Sequence, residues 1–154
     1  MKNLTYYETS IGRLGIAENG QAITNVFFKN NKKPANCQEA TATPLLEKAA
    51  QQIKEYLAGK RRGFDLPLEM EGTEFQQKVW QALTTIPYGQ TRSYKQIAEQ
   101  VGSPKACRAV GLANNRNPIA LVVPCHRVIG ADGKMVGFGG GIDLKIALLS
   151  LEKR

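Results

Sequence analysis

The sequence predicts an α+β fold: a small lobe with an antiparallel sheet and one helix, residues 1–70, followed by a mostly helical domain with a helix-turn-helix, residues 71–154. Two patterns indicate this fold. The first third of the chain alternates short apolar runs with turn residues, which is typical of strands, and three segments of the second half begin with helix-capping residues. At 154 residues, 42% of them hydrophobic, the chain is long enough for one good core or for two small lobes.

The predicted sheet is formed by the segments NLTYYETS and GRLGIAENGQAITNVFF. The second segment carries Asn19 and Gly20 between two apolar runs, which is a strong hairpin signal. A helix is predicted to begin at Thr43 and Pro44, a capping residue followed by a proline in the first turn, and to end at Gly59. The segment GKRRGFDLPLEMEG then indicates a linker.

Capping residues predict the helices of the second half. The segment TEFQ places Thr73 three residues before Gln76, which is a capping box, and SYKQ repeats the pattern from Ser93. A third helix is predicted to begin at Ser103, with Pro104 in its first turn. Two short helices joined by a tight turn form a helix-turn-helix unit, although two ordinary packed helices would give the same pattern.

The second helix of this unit is thin. Arg108 is the one long, charged side chain in its middle, whereas a helix that reads base edges in a major groove presents several long polar side chains. A thin helix can instead bring its backbone close to a surface, as in a minor-groove binder, or pack tightly against the core. Its small residues are Ala106, Ala109, Gly111 and Ala113.

After these helices the sequence predicts an apolar strand over residues 119–123, which would hold the floor of a pocket. The polar Cys-His-Arg sequence follows the strand, and a glycine-rich loop is predicted over residues 137–141. A last helix carries Lys145, Ile146, Leu149 and Glu152.

The net charge indicates a polyanionic partner. The chain has a formal charge of +8, and residues 73–154 contribute 11 basic against 5 acidic side chains. Nucleic acid is the first candidate and an anionic membrane surface the second. No apolar run approaches the roughly 20 residues that span a bilayer. Because many proteins are basic for solubility, charge alone leaves the partner open.

The cysteines argue against a disulfide framework and against a metal site. Cys37, Cys107 and Cys125 are odd in number and form no C-x-x-C pair, so free thiols are expected. The segment MKNLTYYETS lacks the apolar core of a secretory signal, which predicts a cytoplasmic protein, where thiols stay reduced. Since His126 is the only histidine, four zinc ligands at motif spacing are not available and no metal is expected.

The segment LVVPCHRVIG places a thiol and the only imidazole side by side within an apolar run. Unpaired polar groups are costly inside a protein, so these residues indicate chemistry rather than packing. The thiolate is the nucleophilic form of cysteine, and a nearby base or positive charge raises its population. Adjacent side chains on an extended segment point in opposite directions, so His126 would need a bend or a water to reach Cys125. The other two cysteines are expected to be small buried hydrophobes.

Five ordered blocks carry a specific resemblance. They are GTEFQQKVW, IPYGQTRSYKQIA, ACRAVGLANNRNP, PCHRVIG and the distal GFGGG with the helix after it. In these blocks the chain resembles the methylated-DNA–protein-cysteine methyltransferases, the O6-alkylguanine-DNA alkyltransferases. The resemblance implies a ribonuclease H-like first lobe and a DNA repair reaction that transfers the alkyl group of O6-alkylguanine, or of O4-alkylthymine, irreversibly to Cys125. It also implies one reaction per molecule, no cofactor, and a monomer that approaches double-stranded DNA from the minor groove and flips the nucleotide.

The same resemblance implies roles for further residues. His126, through a water, and Glu152 would draw the proton from the acceptor thiol. Asn117 would shape the turn that precedes the predicted strand. Lys145 would polarise the Tyr94 hydroxyl toward the leaving guanine.

On the DNA side, the resemblance implies that Arg108 fills the gap left by the flipped nucleotide, and that Tyr94 rotates the phosphate. The remainder of the predicted DNA surface is Ser93, Ala106, Ala109, Gly111 and Ala113. Main-chain groups at Cys125, at Val128 and in the loop around Gly139 would read the guanine edge. The residues predicted to line the pocket are Val128, Phe138, Gly139 and Trp80.

Three other functions share some of these features. A lesion-binding protein of the alkyltransferase-like type would keep the DNA-binding frame but typically lacks the acceptor cysteine, which is present here as Cys125. A helix-turn-helix regulator would need neither the nucleophile nor so thin a helix. A cysteine hydrolase would need His126 as the base and an oxyanion hole, and no separate triad pattern precedes it.

Overall fold

The computed structural model describes residues 1–134, 138 and 140–153. The chain divides into two compact units. The first consists of Met1–Glu71 together with Pro118–Val122, and the second of Gly72–Asn117 together with the chain from Val123 onward. The first unit is a sheet with a helix and the second is mostly helical, which confirms the predicted α+β class.

The first unit contains a four-stranded sheet. Its strands are β1 (Lys2–Thr9), β2 (Gly12–Glu18), β3 (Ile23–Phe28) and β4 (Cys37–Glu39), in the spatial order β3-β2-β1-β4. The pairs β1–β2 and β2–β3 are antiparallel as predicted, whereas β4 runs parallel to β1. The predicted hairpin turn joins β2 to β3, and the Asn19 side-chain oxygen accepts hydrogen bonds from the N–H groups of Gln21 and Ala22, at 3.0 and 2.9 Å.

Helix α1 (Pro44–Leu57) packs on this sheet. It begins at the predicted cap, where the Thr43 hydroxyl accepts a hydrogen bond from the Leu46 N–H at 3.3 Å, and it ends just before Gly59, which has a positive φ. Burial of each large apolar side chain of its inner face contributes about 1.5–3 kcal/mol to folding. The buried residues of α1 include Leu46, Ala49, Ala50, Ile53 and Tyr56.

The second unit contains four helices and a short sheet. The helices are α2 (Glu74–Thr84), α3 (Tyr94–Gln100), α4 (Cys107–Asn115) and α5 (Ile142–Glu152), and β5 (Arg92–Ser93) pairs in parallel with β6 (Val128–Ile129). Both predicted capping boxes are present. Thr73 and Gln76 exchange two hydrogen bonds at the start of α2, and Ser93 and Gln96 do the same at the start of α3.

The predicted start of the third of these helices is wrong, because α4 begins at Cys107 and not at Ser103. The Ala106 N–H donates to the Ser103 carbonyl at 2.9 Å, so residues 103–106 close a turn with Pro104 at its second position. Proline is favoured there because its fixed φ suits the turn. Ser103 and Pro104 therefore form the first half of a turn and not the start of a helix.

The predicted strand over residues 119–123 is also absent, since within this segment only Ile119 makes a bridge, to Val26. The Val122 N–H then donates to the Ala120 carbonyl at 2.8 Å across Leu121, whose φ is +70°. This is a γ-turn of the rare kind with a positive central φ, which is strained for a leucine. An apolar run has the same composition in a buried turn as in a buried strand, so the pattern could not separate them.

Candidate active site

The residues Cys125–Arg127, which follow the predicted strand, form a single turn of 3-10 helix. Pro124 initiates it: with φ −82° and ψ 65°, it allows the Cys125 N–H to donate to the Val123 carbonyl at 2.8 Å. Successive side chains of a 3-10 helix diverge by roughly 120° instead of pointing to opposite faces. The bend that the Cys-His pair would need is therefore built into the backbone, and Cys125 is 6% exposed.

A buried cluster of charged groups surrounds Glu152, the last residue of α5. The Glu152 carboxylate lies 2.7 Å from His126 Nε2 and accepts from Arg127 Nε at 2.8 Å and Nη2 at 3.0 Å. Arg127 Nη1 donates to the Ile86 carbonyl at 2.8 Å, and the Gly89 N–H reaches the carboxylate at 3.3 Å. The cluster thus joins the Cys-His-Arg turn to α5 and to the loop after α2.

The electrostatics of the site set the protonation of the thiol and the imidazole. Burial raises the pKa of the Cys125 thiol, and a hydrogen bond from Asn117 and the charge of Lys145 only partly oppose this. Burial lowers the pKa of His126, and the hydrogen bond and charge of Glu152 offset it in part. At neutral pH the site therefore holds a protonated thiol beside a neutral imidazole, which is an acid next to a base.

Three further predicted residues lie around the thiol. The Asn117 side chain, directly after α4, hydrogen-bonds the thiol and donates from Nδ2 to the Val123 carbonyl at 2.8 Å. Lys145 is buried on α5 and Tyr94 is the first residue of α3. Burial lowers the pKa of Lys145 and raises the pKa of Tyr94, and each also interacts with the charge of Cys125.

The short parallel sheet explains how Tyr94 comes to the site. The pairing of β5 with β6 places Ser93 opposite Ile129, just after the Cys-His-Arg turn, and Ser93 is also the cap from which α3 begins. A Cβ at Gly111 of α4 would lie 3.7 Å from the Tyr94 ring, which is an ordinary van der Waals contact, so α4 passes close to that ring. The fold brings Cys125 together with the other five side chains that were predicted as catalytic.

Comparison with family models covers both units of the chain. Residues 3–70 match the model described as 6-O-methylguanine DNA methyltransferase, ribonuclease-like domain. Residues 74–154 match the model described as 6-O-methylguanine DNA methyltransferase, DNA binding domain. The chain belongs to this family.

Individual members of the methyltransferase family are similar over nearly the whole chain. The methylated-DNA–protein-cysteine methyltransferase of Mycobacterium leprae is 51% identical over 147 residues, which cover 95% of this chain and 89% of that protein. The constitutive enzyme of that name from Bacillus subtilis is 48% identical over 159 residues, 99% of this chain and 96% of its own. The crystal structure of Mycobacterium tuberculosis OGT in complex with DNA has a TM-score of 0.92 at 48% identity, and covers 98% of this chain and 92% of that one.

Helix α4, which lies in the DNA-binding domain of the methyltransferase family, has an exposed face. Arg108 and Ala109 are exposed as predicted for a DNA surface, and Leu112 is 53% exposed on the same helix. Leu112 is thus a second long side chain on α4, which was predicted to be thin apart from Arg108. Ala113 differs from the prediction, because it is 3% exposed and its carbonyl accepts the indole N–H of Trp80 at 2.9 Å.

The residues predicted to line the pocket occupy different environments. Val128 is fully buried in β6, and the ring of Phe138 stands edge-on to His126 with centroids 6.4 Å apart. Trp80 is buried and holds the last turn of α4, and its place in the pocket lining stays a prediction. Gly139 lies outside the described residues.

Two features are absent among the described residues. No three His, Cys, Asp or Glu side chains in this part of the chain lie where they could share a metal ion. No helix among the described residues is long and apolar enough to cross a membrane.

Sequence reasoning missed two residues of the site. Arg127 was noted only as a neighbour of the thiol, although it is the main partner of Glu152. Asn114, in the last turn of α4, donates from Nδ2 to the Cys125 carbonyl at 3.4 Å. The buried Oδ1 of Asn114 has no hydrogen-bond partner among the described residues, and such an atom costs about 1–3 kcal/mol. No local pattern indicates either contact, because the partners lie 11 to 25 residues apart.

Proposed function

We propose that this chain is a methylated-DNA–protein-cysteine methyltransferase that repairs O6-alkylguanine, and also O4-alkylthymine, in duplex DNA by transferring the alkyl group to its own Cys125. The observation that carries the proposal is the buried Cys125 thiol in a turn with His126, whose imidazole is hydrogen-bonded to Glu152. Relatives about half identical to this chain carry that enzyme name, and one is described in complex with DNA.

The reaction is a single displacement at the alkyl carbon. The bond from Cys125 Sγ to carbon forms as the bond from carbon to guanine O6 breaks. The thiol proton passes through a water to His126, and Glu152 stabilises the imidazolium that results. The departing guanine takes a proton from the Tyr94 hydroxyl, which Lys145 replaces, in keeping with the lowered pKa of Lys145. Because a thioether is a poor leaving group, each molecule reacts once.

The damaged nucleotide has to leave the base stack before the sulfur can reach it. The exposed part of α4 supports an approach through the minor groove, because its small residues let the backbone come close and its cations can contact phosphates. Arg108 would fill the gap that the nucleotide leaves. The exposed residues on and next to this helix are Lys105, Arg108, Ala109, Leu112, Asn115 and Arg116. A monomeric state and a cytoplasmic location remain predictions.

The central experiment measures transfer directly. The protein is incubated with an excess of a duplex that carries O6-methylguanine with a radiolabelled methyl group, and label on protein is counted over time. We expect a plateau at one methyl per molecule, located by mass spectrometry on the peptide that contains Cys125. Tight binding without transfer would instead indicate the lesion-binding alternative, and turnover beyond one methyl per molecule would exclude a suicide reaction.

Arg108→Ala is expected to slow repair of the duplex by about 10- to 100-fold, because stabilising an extruded nucleotide offsets a few kcal/mol of unstacking. Reaction with the free base O6-methylguanine should stay within about twofold, since no unstacking is involved. Rapid-quench kinetics on both substrates measure the difference. Arg62→Ala, which removes an exposed arginine of the first unit, is the matched control. Equal losses on both substrates would show that Arg108 has no part in extrusion.

A further inference from the structure

Asn114 is a buried polar side chain of the site to which the mechanism assigns no role. It is 1% exposed in the last turn of α4, and its Nδ2 donates to the carbonyl of Cys125, the residue that carries the acceptor sulfur. Its Oδ1 is buried and has no hydrogen-bond partner among the described residues. A buried amide oxygen in this condition calls for an explanation, because most buried polar atoms in native proteins are paired.

The contact between Asn114 and Cys125 is weak, which leaves the amide able to serve another group. At 3.4 Å it is longer than the 2.9–3.0 Å typical of N–H···O bonds. The Cys125 carbonyl already accepts the Val128 N–H that closes the 3-10 turn, so its direction does not depend on Asn114 alone. The rest of α4's last turn is fixed by Trp80, whose indole holds the Ala113 carbonyl at 2.9 Å.

A hydrogen-bond donor on a bound base would satisfy the Asn114 oxygen. The Asn114 oxygen is the acceptor without a partner among the described residues, and it belongs to the amide that contacts the carbonyl of Cys125. Guanine carries an exocyclic 2-amino group with two N–H bonds, whereas thymine has no amino group. Enzymes that act on a flipped base read it by hydrogen bonds to its Watson–Crick edge, on which this amino group lies.

We propose that Asn114 is a specificity-determining residue whose side-chain oxygen accepts a hydrogen bond from the 2-amino group of the flipped guanine and so favours guanine over thymine lesions. This inference rests on the proposed function. It assigns to Asn114 a direct contact with the base, distinct from the hydrogen bond that Asn117 makes to the thiol.

The test compares two substrates that differ only in the amino group. Single-turnover rate constants are measured for O6-methylguanine and O6-methylhypoxanthine, which lacks the 2-amino group, in the same duplex. In the unmodified protein we expect guanine to react about tenfold faster, the ratio that one hydrogen bond provides. In Asn114→Leu the ratio should fall to within about twofold of unity, chiefly through a slower reaction with guanine, and O4-methylthymine should gain relative to guanine.

The ratio of the two rate constants distinguishes a contact between Asn114 and the base from a purely structural role of Asn114. A variant that merely loosens α4 would slow both purines equally and leave the ratio unchanged, which would overturn the inference. Asn115→Leu, at the exposed neighbouring position, is the matched control and should keep the ratio of the unmodified protein. Asn114→Ala, with folding followed by circular dichroism, gives the same comparison if the leucine variant does not fold. Absence of methyl transfer in the unmodified protein would instead contradict the proposed function itself.

Discussion

Cys125→Ser is expected to abolish methyl transfer to the protein while binding to methylated duplex stays within about twofold, because a hydroxyl of ordinary pKa is a weak nucleophile. The substitution is nearly isosteric and leaves the exposed face of α4 untouched. Label incorporation and a fluorescence anisotropy titration with the same duplex measure the two properties separately.

The other two cysteines provide the controls. Cys107→Ser changes a half-buried residue at the start of α4, and Cys37→Ser a buried one in β4. Each variant should still accept one methyl per molecule. Label that persists in Cys125→Ser, or that disappears in either control, would place the acceptor elsewhere.

Arg127→Met is expected to lower the free energy of unfolding by about 3–5 kcal/mol, because it leaves the Glu152 carboxylate buried without its main cation. For a chain of this length the loss corresponds to a decrease of about 6–20 °C in Tm. The Arg127 guanidinium also donates to the Ile86 carbonyl and lies over the Tyr88 ring, so the substitution removes these contacts too. Thermal and urea denaturation measure the change.

Arg92→Met is the matched control for this prediction. Arg92 is also an arginine of the second unit, but its guanidinium bonds only to the adjacent Thr91 carbonyl and to Gln90 in the contacts described, and it should lose less than about 1 kcal/mol. The double variant Arg127→Met, Glu152→Gln should recover part of the loss, since it removes the uncompensated charge. If Arg127→Met and Arg92→Met were equally stable, the buried pair of Arg127 and Glu152 would contribute little to stability.

The pH dependence of transfer gives a second readout of Arg127. Burial is the main cause of the lowered pKa of His126, and the positive charges of Arg127 and Lys145 lower it further. Removal of the Arg127 charge should raise the pKa of His126, so that the neutral, proton-accepting form appears only at higher pH. In Arg127→Met the rising limb of the rate against pH should therefore move to higher pH.

Local signals predicted those parts of the fold that local hydrogen bonds determine. The capping boxes at Thr73 and Ser93 fix the starts of α2 and α3, since each box is complete within four residues. The Ser103-Pro104 pair suits both a helix start and a turn, and only contacts distant in sequence decide between them. Residues 119–123 show the same limit, because their apolar composition does not reveal the positive φ of Leu121.

The residues of the site also divide into those that the sequence predicted and those that only the packing of the chain reveals. The adjacency of Cys125 and His126 is visible in the sequence and predicted a reactive pair. The resemblance supplied Glu152, and the structure places it against His126 as that resemblance implied. The Arg127–Glu152 pair and the position of the Asn114 amide depend on how α4, α5 and the 3-10 turn pack together, which no periodicity in the sequence encodes.

The burial of Cys125 has a consequence for a protein that reacts only once. Small oxidants and electrophiles in the cell also consume thiols, and they do so fastest at exposed thiolates. Cys125 is 6% exposed and burial raises its pKa, whereas Cys107 is more accessible to solvent. Side reactions with oxidants and small electrophiles are therefore slower at Cys125. Its sulfur stays available for the alkyl group of a damaged nucleotide.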